Sequence, residues 1–131
     1  MLILDTNILI ELACHSSKTT EFLQNLLGKI PSKPYITAPT YSEFLYGYMK
    51  KESKRQELAI SFLEQYRLLH TSKESAMLLA KIKFDLEKKG RMIPLFDILI
   101  ASIVMDKGGT LLTLDEHFKN IEELKVVIPP N

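Results

Sequence analysis

The chain has 131 residues, 46% apolar and 25% charged, with 17 basic residues against 16 acidic ones and a net charge of +1. That balance suits a soluble domain large enough to bury a core, and it excludes a global field that would by itself attract a polyanion. The single cysteine, Cys14, excludes an internal disulfide and fits a reducing compartment.

Met1 runs straight into the apolar stretch MLILDTNILIEL with no basic segment ahead of it, so no secretory signal is expected. No apolar stretch reaches the roughly eighteen residues that a membrane span needs. A cytoplasmic protein of one domain, residues 1–131, is the expectation. Leu2 to Leu4 read as a short buried strand and Asn7 to Leu12 as the opening turns of a helix, in which Cys14 is expected to pack. Phe22, Leu23, Leu26 and Leu27 follow at helical spacing, with Gly28 and Pro31 as a stop signal. Tyr35 to Thr37 is a second strand. The next helix is expected from about Thr40, with Phe44, Leu45 and Tyr48 on one face. Another runs from Ser53 to Tyr66 with Leu58, Ile60, Phe62 and Leu63 as its apolar members, and RLLHT is a third strand. A long helix capped by Ser72 or Ser75 carries Met77, Leu78, Ile82 and Leu86 and ends at Gly90. IPLFDILIASIVMDKGG is a shorter, more apolar helix, and TLLT and KVVIPP close the chain as strands. Strands alternating with helices predict an α/β fold, a central parallel sheet flanked by helices on both faces.

In right-handed βαβ units, strand C-termini and helix N-termini share one edge of the sheet, where ligands bind. Asp5 ends the first strand, Glu43 falls in the first turn of the helix after YIT, Asp97 near the start of the apolar helix, and Asp115 just after TLLT. Each acid has an ordinary explanation alone. Asp5 or Thr6 can cap a helix, Thr40-x-x-Glu43 matches a capping box, Asp97 suits a helix dipole, and Asp115 suits a turn. Together they converge on one rim, where each like-charge pair at ~4 Å costs about 4 kcal/mol at an effective dielectric of ~20. Raised pKa values or bound cations can relieve that cost. An all-oxygen set without His or Cys suits Mg²⁺ or Mn²⁺, and such sites favour phosphoryl chemistry.

LDTNILIEL, TYSEFLYG and FDILIASIVMDKGGTLLTLDEHF, in this order, resemble the motifs of the PIN-domain ribonucleases, and among them the VapC-type toxins. The resemblance runs through the whole chain, with small departures at Ala38-Pro39 and Ser102. It implies that Asp5, Glu43, Asp97 and Asp115 are metal ligands and catalytic residues, with Asn7 beside the first and Thr113 as a nearby hydroxyl. It further implies endoribonuclease activity with Mg²⁺ or Mn²⁺, a metal-activated water attacking RNA, and a homodimeric toxin neutralised by a VapB-type antitoxin. A PIN nuclease in RNA processing without a toxin role, and a PIN-fold binding module without chemistry, are the alternatives. A phosphatase of the HAD type would want a second Asp where Asn7 stands.

MKKESKR and EKKGR are basic clusters interleaved with Glu and read first as solvated helix ends; Lys50, Lys51 and Arg91 are the candidate RNA contacts. His117, two residues past Asp115, reads as structural rather than catalytic, and His15 and His70 suggest no site. Of Tyr41, Phe44, Tyr46 and Tyr48, those left outside the core could stack on bases or form a dimer surface.

Overall fold

In the computed structural model, which describes residues 1–14 and 17–130, the first apolar run forms β1 (Leu2–Leu4), with all of its side chains buried. Such a strand is covered on both faces and so has no polar alternation. There follow α1 (Thr6–Cys14), α2 (Ser17–Gly28), β2 (Tyr35–Thr37), α3 (Ala38–Met49), α4 (Ser53–Leu63) and β3 (Arg67–Leu69). The chain continues through α5 (Lys73–Lys88), α6 (Leu95–Asp106), β4 (Thr110–Leu112), a 3₁₀ helix (Glu116–Asn120) and β5 (Lys125–Val127). The five strands pair in parallel throughout, in the order β3-β2-β1-β4-β5.

Side-chain alternation along these short strands feeds two cores. Ile3 and Leu111 point to one face and pack with Ile82 and Leu86 of α5 and Ile98 and Ile103 of α6. Leu2, Leu4, Ile36 and Leu112 point to the other and meet Ile8, Leu9, Leu23, Phe44 and Leu63 from α1 to α4. Each such side chain contributes roughly 1.5–3 kcal/mol on burial. The expected parallel sheet with helices on both faces is therefore the observed one.

Several local expectations need correction. Helix α3 begins at Ala38 rather than near Thr40, because Thr37 is its N-cap and accepts the Thr40 N–H at 3.3 Å. Pro39 suits this start, since a first-turn proline has no amide to leave unpaired. The Thr40–Glu43 capping box is thus not formed, and Glu43 lies in the second turn. In α5 the Gly90 terminus, at φ +67°, is as the sequence predicts, and of the two candidate caps Ser72 is the one used, with Ser75 returning a bond to its backbone. Met77, however, is 64% exposed, and the stripe runs through Ser75, Ile82 and Leu86 instead. In α4 Leu58 and Ile60 are exposed, and Ala59 and Leu63 supply its buried contacts. Cys14, the last residue of α1, is exposed rather than packed between helices. His70 is exposed just past β3, and His15 lies outside the described residues.

The order of the strands positions the site. From β1 the chain moves outward to β2 and β3, then crosses back to place β4 on the other side of β1. The C-terminal ends of β1 and β4 therefore flank the topological switch point, where a crevice opens in sheets of this kind.

Gly109 tightens the approach to β4. A Cβ there would lie 2.7 Å from Cδ1 of Ile3 and 3.2 Å from the carbonyl oxygen of Met1. Ile3 is wholly buried and has little room to yield. Gly109→Ala should lower stability by about 1–3 kcal/mol in denaturant unfolding, the usual cost of overpacking; an unchanged midpoint would contradict this packing.

Candidate active site

Asp5 leaves β1 at the switch point with only 2% of its surface exposed. Its backbone N–H donates to the Leu112 carbonyl at 2.9 Å, and its own carbonyl accepts the Ile8 and Leu9 amides as α1 begins. The strand is thus locked to β4 on one side and turned into a helix on the other. Oδ1 accepts the adjacent Thr6 N–H at 2.8 Å, and no bond to a second- or third-position amide of α1 marks it as an ordinary helix cap. Oδ2 accepts the buried Thr113 hydroxyl at 2.6 Å.

The other acids join through neutral donors. The Thr113 oxygen accepts the Asp115 N–H at 3.1 Å. Asn7 reaches across from α1, donating from Nδ2 to Asp115 Oδ2 at 3.3 Å and accepting the Leu114 N–H at 3.2 Å. The Thr6 hydroxyl donates to Glu43 Oε1 at 2.8 Å. Glu43, Thr6, Asp5, Thr113, Asp115 and Asn7 therefore form one hydrogen-bonded chain from α3 to the segment after β4. Asp97, in the first turn of α6, lies 3.0 Å through Oδ2 from Nε2 of His117. Although close, that contact is not aligned as a hydrogen bond, and the buried Nε2 has no hydrogen-bond partner.

Burial and mutual repulsion act on these groups together. Asp5 is pushed up from 3.8 to about 6, chiefly by burial and further by Asp97 and Asp115, against the opposing bonds from Thr113 and Thr6. Glu43 is raised by burial and by Asp97, less the effect of the Thr6 bond. Asp97 is raised by burial and by Asp115, while the nearby His117 pulls it down. Among the described residues no Lys or Arg forms an ion pair with any of the four acids. The deficit of positive charge is what a divalent cation would fill, and carboxylates are its usual ligands. One donor atom each from Asp97, Asp115 and His117 lie within 4.8 Å of one another, close enough to share an ion.

The four acids predicted from sequence, with Asn7 and Thr113, are thus neighbours. The basic candidates divide. Lys50 is two turns beyond Glu43 on the same helical face, its Nζ 5.3 Å from the centre of the exposed Tyr46 ring. Lys51 lies over Tyr48, which packs on Phe44 and so faces away from Glu43. Arg91 is exposed in the turn that leads to Asp97. Sequence reasoning missed two residues. Thr6 gave no signal beyond its place between Asp5 and Asn7. The sequence reads His117 as structural, yet the 3₁₀ helix after Asp115, anchored by the fully buried Phe118, brings its imidazole within 3.0 Å of Asp97, so a histidine does stand beside the carboxylates.

The sequence model of the PIN domain family matches residues 2–124. Among solved structures, the chain resembles one in the complex of VapBC2 from Rickettsia felis bound to a DNA fragment from their promoter. The identity is 25% over 97% of each chain, with a TM-score of 0.84. A chain of VapBC-1 from nontypeable Haemophilus influenzae is 23% identical over 97% of this chain and 96% of that one, with a TM-score of 0.86. VapC20 from Mycobacterium tuberculosis, described as a Sarcin-Ricin loop cleaving toxin, is 12% identical over 93% and 95%, with a TM-score of 0.68. No curated protein matches the chain.

The Asp5 shift has a consequence for stability. Its folded pKa of about 6 lies above the ordinary value of 3.8, so folding favours the protonated acid. The associated stability is fully present below pH ~4 and is lost as pH rises through ~6. Chelator-treated protein should therefore be more stable at pH 5 than at pH 7.5 by about 1–2 kcal/mol. Asp5→Asn should flatten that dependence in urea unfolding; a stability that instead climbs over this range would contradict the burial of an uncompensated carboxylate.

Proposed function

The chain belongs to the PIN-domain family, and on that premise we propose that it is an endoribonuclease dependent on Mg²⁺ or Mn²⁺, the toxin of a VapBC-type pair. The observation that carries this reading is the buried Asp5 carboxylate at the switch point, close enough to Asp97 and Asp115 to feel their charge, with none of the four acids ion-paired to a Lys or Arg among the described residues. A divalent cation held there supplies a Lewis acid for a phosphate and lowers the pKa of a water. The donor chemistry fits, since the acids offer hard oxygen ligands in a partly desolvated crevice.

Asp5, Glu43, Asp97 and Asp115 hold the metal in this reading. Thr113 fixes the rotamer of Asp5, Asn7 that of Asp115, and Thr6 that of Glu43, each by a hydrogen bond already described. These donors are uncharged, so they orient the carboxylates without cancelling the charge that attracts the cation. Lys50 and Arg91 are the basic residues that meet RNA phosphates in this reading, which positions RNA without reading its sequence. Lys51, just past the end of α3 and lying over Tyr48, contributes less. An open cavity of about 430 Å³ beside Glu43, lined by Tyr46, Met49 and Phe96, gives an unstacked base an apolar seat.

The similarity to chains of VapBC complexes supports a VapB-type antitoxin as partner, and VapC20's description as a cleaving toxin supports RNA as substrate. The exposed Met92 and Leu95 support assembly as a homodimer. No helix among the described residues is long and apolar enough to cross a membrane, and the similarity to chains of bacterial VapBC complexes supports action in the cytoplasm.

Purified protein should cleave RNA with Mn²⁺ or Mg²⁺ and lose that activity in excess EDTA. Asp97→Asn should slow cleavage by on the order of a hundredfold or more with its circular dichroism unchanged. Cleavage that persists in EDTA, or in Asp97→Asn at the rate of the unaltered protein, would overturn the proposal.

A further inference from the structure

His117 is not accounted for by the acidic cluster alone. Its Nε2 is buried, has no hydrogen-bond partner, and lies 3.0 Å from Asp97 Oδ2. An imidazole placed only to neutralise Asp97 would be expected to aim an N–H along that line, because a buried unpaired donor costs about 1–3 kcal/mol. The observed pair is close but misaligned. Two ligands at adjacent corners of an octahedron with bonds of roughly 2.1 Å are themselves about 3 Å apart. The spacing is thus that of two donors facing a common ion. Asp115 supplies a third donor, all three lying within 4.8 Å of one another.

The fold holds the ring in this attitude. The 3₁₀ helix after Asp115 is pinned by Phe118, which is wholly buried and packs against the His117 ring at 4.8 Å between centroids. The imidazole is therefore kept at the crevice by the core beneath it, without relying on Asp97.

We infer that His117 is a nitrogen ligand of the cation held by Asp97 and Asp115, and that it biases the site toward Mn²⁺ over Mg²⁺. This rests on the metal-dependent reading above and adds to it. Imidazole suits transition ions, whereas Mg²⁺ prefers oxygen and sheds its water reluctantly. A purely carboxylate site would have no such bias from its donors.

Pulsed EPR of the Mn²⁺-loaded protein reads the bond directly. The unaltered protein should show a ¹⁴N coupling that changes to the ¹⁵N pattern on labelling with ¹⁵N-histidine and disappears in His117→Gln. Calorimetry on the same samples should show Mn²⁺ affinity falling roughly 10- to 100-fold in His117→Gln, with Mg²⁺ affinity little changed. A residue that merely supports Asp97 could weaken both ions but would give no nitrogen coupling. Mn²⁺ bound without ¹⁴N coupling, or with coupling that survives in His117→Gln, overturns the inference and leaves the nuclease reading intact. Failure of the unaltered protein to bind Mn²⁺ at millimolar concentration overturns both. A labelled protein in which His15 and His70 are both replaced by Gln keeps His117 as the sole histidine, so the ¹⁵N pattern there decides the question even if the His117 variant does not fold.

Discussion

The rim of this molecule is organised by one costly act, the burial of the Asp5 carboxylate between the ends of β1 and β4. Its backbone has no freedom to avoid the position, since its N–H belongs to the sheet and its carbonyl starts α1. Its side chain receives two hydrogen bonds, from Thr6 and Thr113, and burial still raises its pKa to about 6. Bonds from neutral groups therefore offset only part of the desolvation. The remainder is available to a ligand, and a group of opposite charge that binds there gains what the free site lacks.

Neighbouring residues preserve that deficit rather than remove it. Hydroxyls and an amide, not ammonium or guanidinium groups, tie Glu43 and Asp115 to the segment around Asp5. A cluster satisfied by Lys or Arg would be a structural ion-pair network with no call for a metal. Here Thr6, Asn7 and Thr113 fix the carboxylates while leaving their net charge in place, as a preorganised cation site requires. His117 is the exception in kind, an imidazole beside the carboxylates of Asp97 and Asp115.

Much of this could be read from the chain alone. The strand LIL followed by Asp, the acids after YIT and TLLT, and the acid opening LFDILIAS share an edge by topology, so right-handed crossovers were enough to bring them together. The helix end at Gly90 is equally legible because one residue type settles it, whereas two serines at the start of α5 left the choice of cap to the structure. What escaped was one local competition between caps and, elsewhere, the outcome of tertiary packing. Helix α3 starts at Ala38 because Thr37 and Pro39 combine as cap and first turn, a competition that the Thr40–Glu43 spacing conceals. Met77 and Leu58 are apolar yet exposed, since hydrophobic type does not say which side of a helix finds a neighbour. His117 escaped for a similar reason: its approach to Asp97 is set by the short 3₁₀ helix and by Phe118 beneath it, neither of which leaves a periodic signature.

The central claim is that the negative charge gathered at the switch point is shared by a divalent cation. Crystals soaked in millimolar Mn²⁺ and measured for anomalous scattering address it most directly. The account predicts a manganese peak within about 2.1–2.3 Å of carboxylate oxygens from the Asp5, Asp97 and Asp115 cluster. A well-ordered crevice without a peak, or with Mn²⁺ bound only elsewhere on the surface, would contradict it.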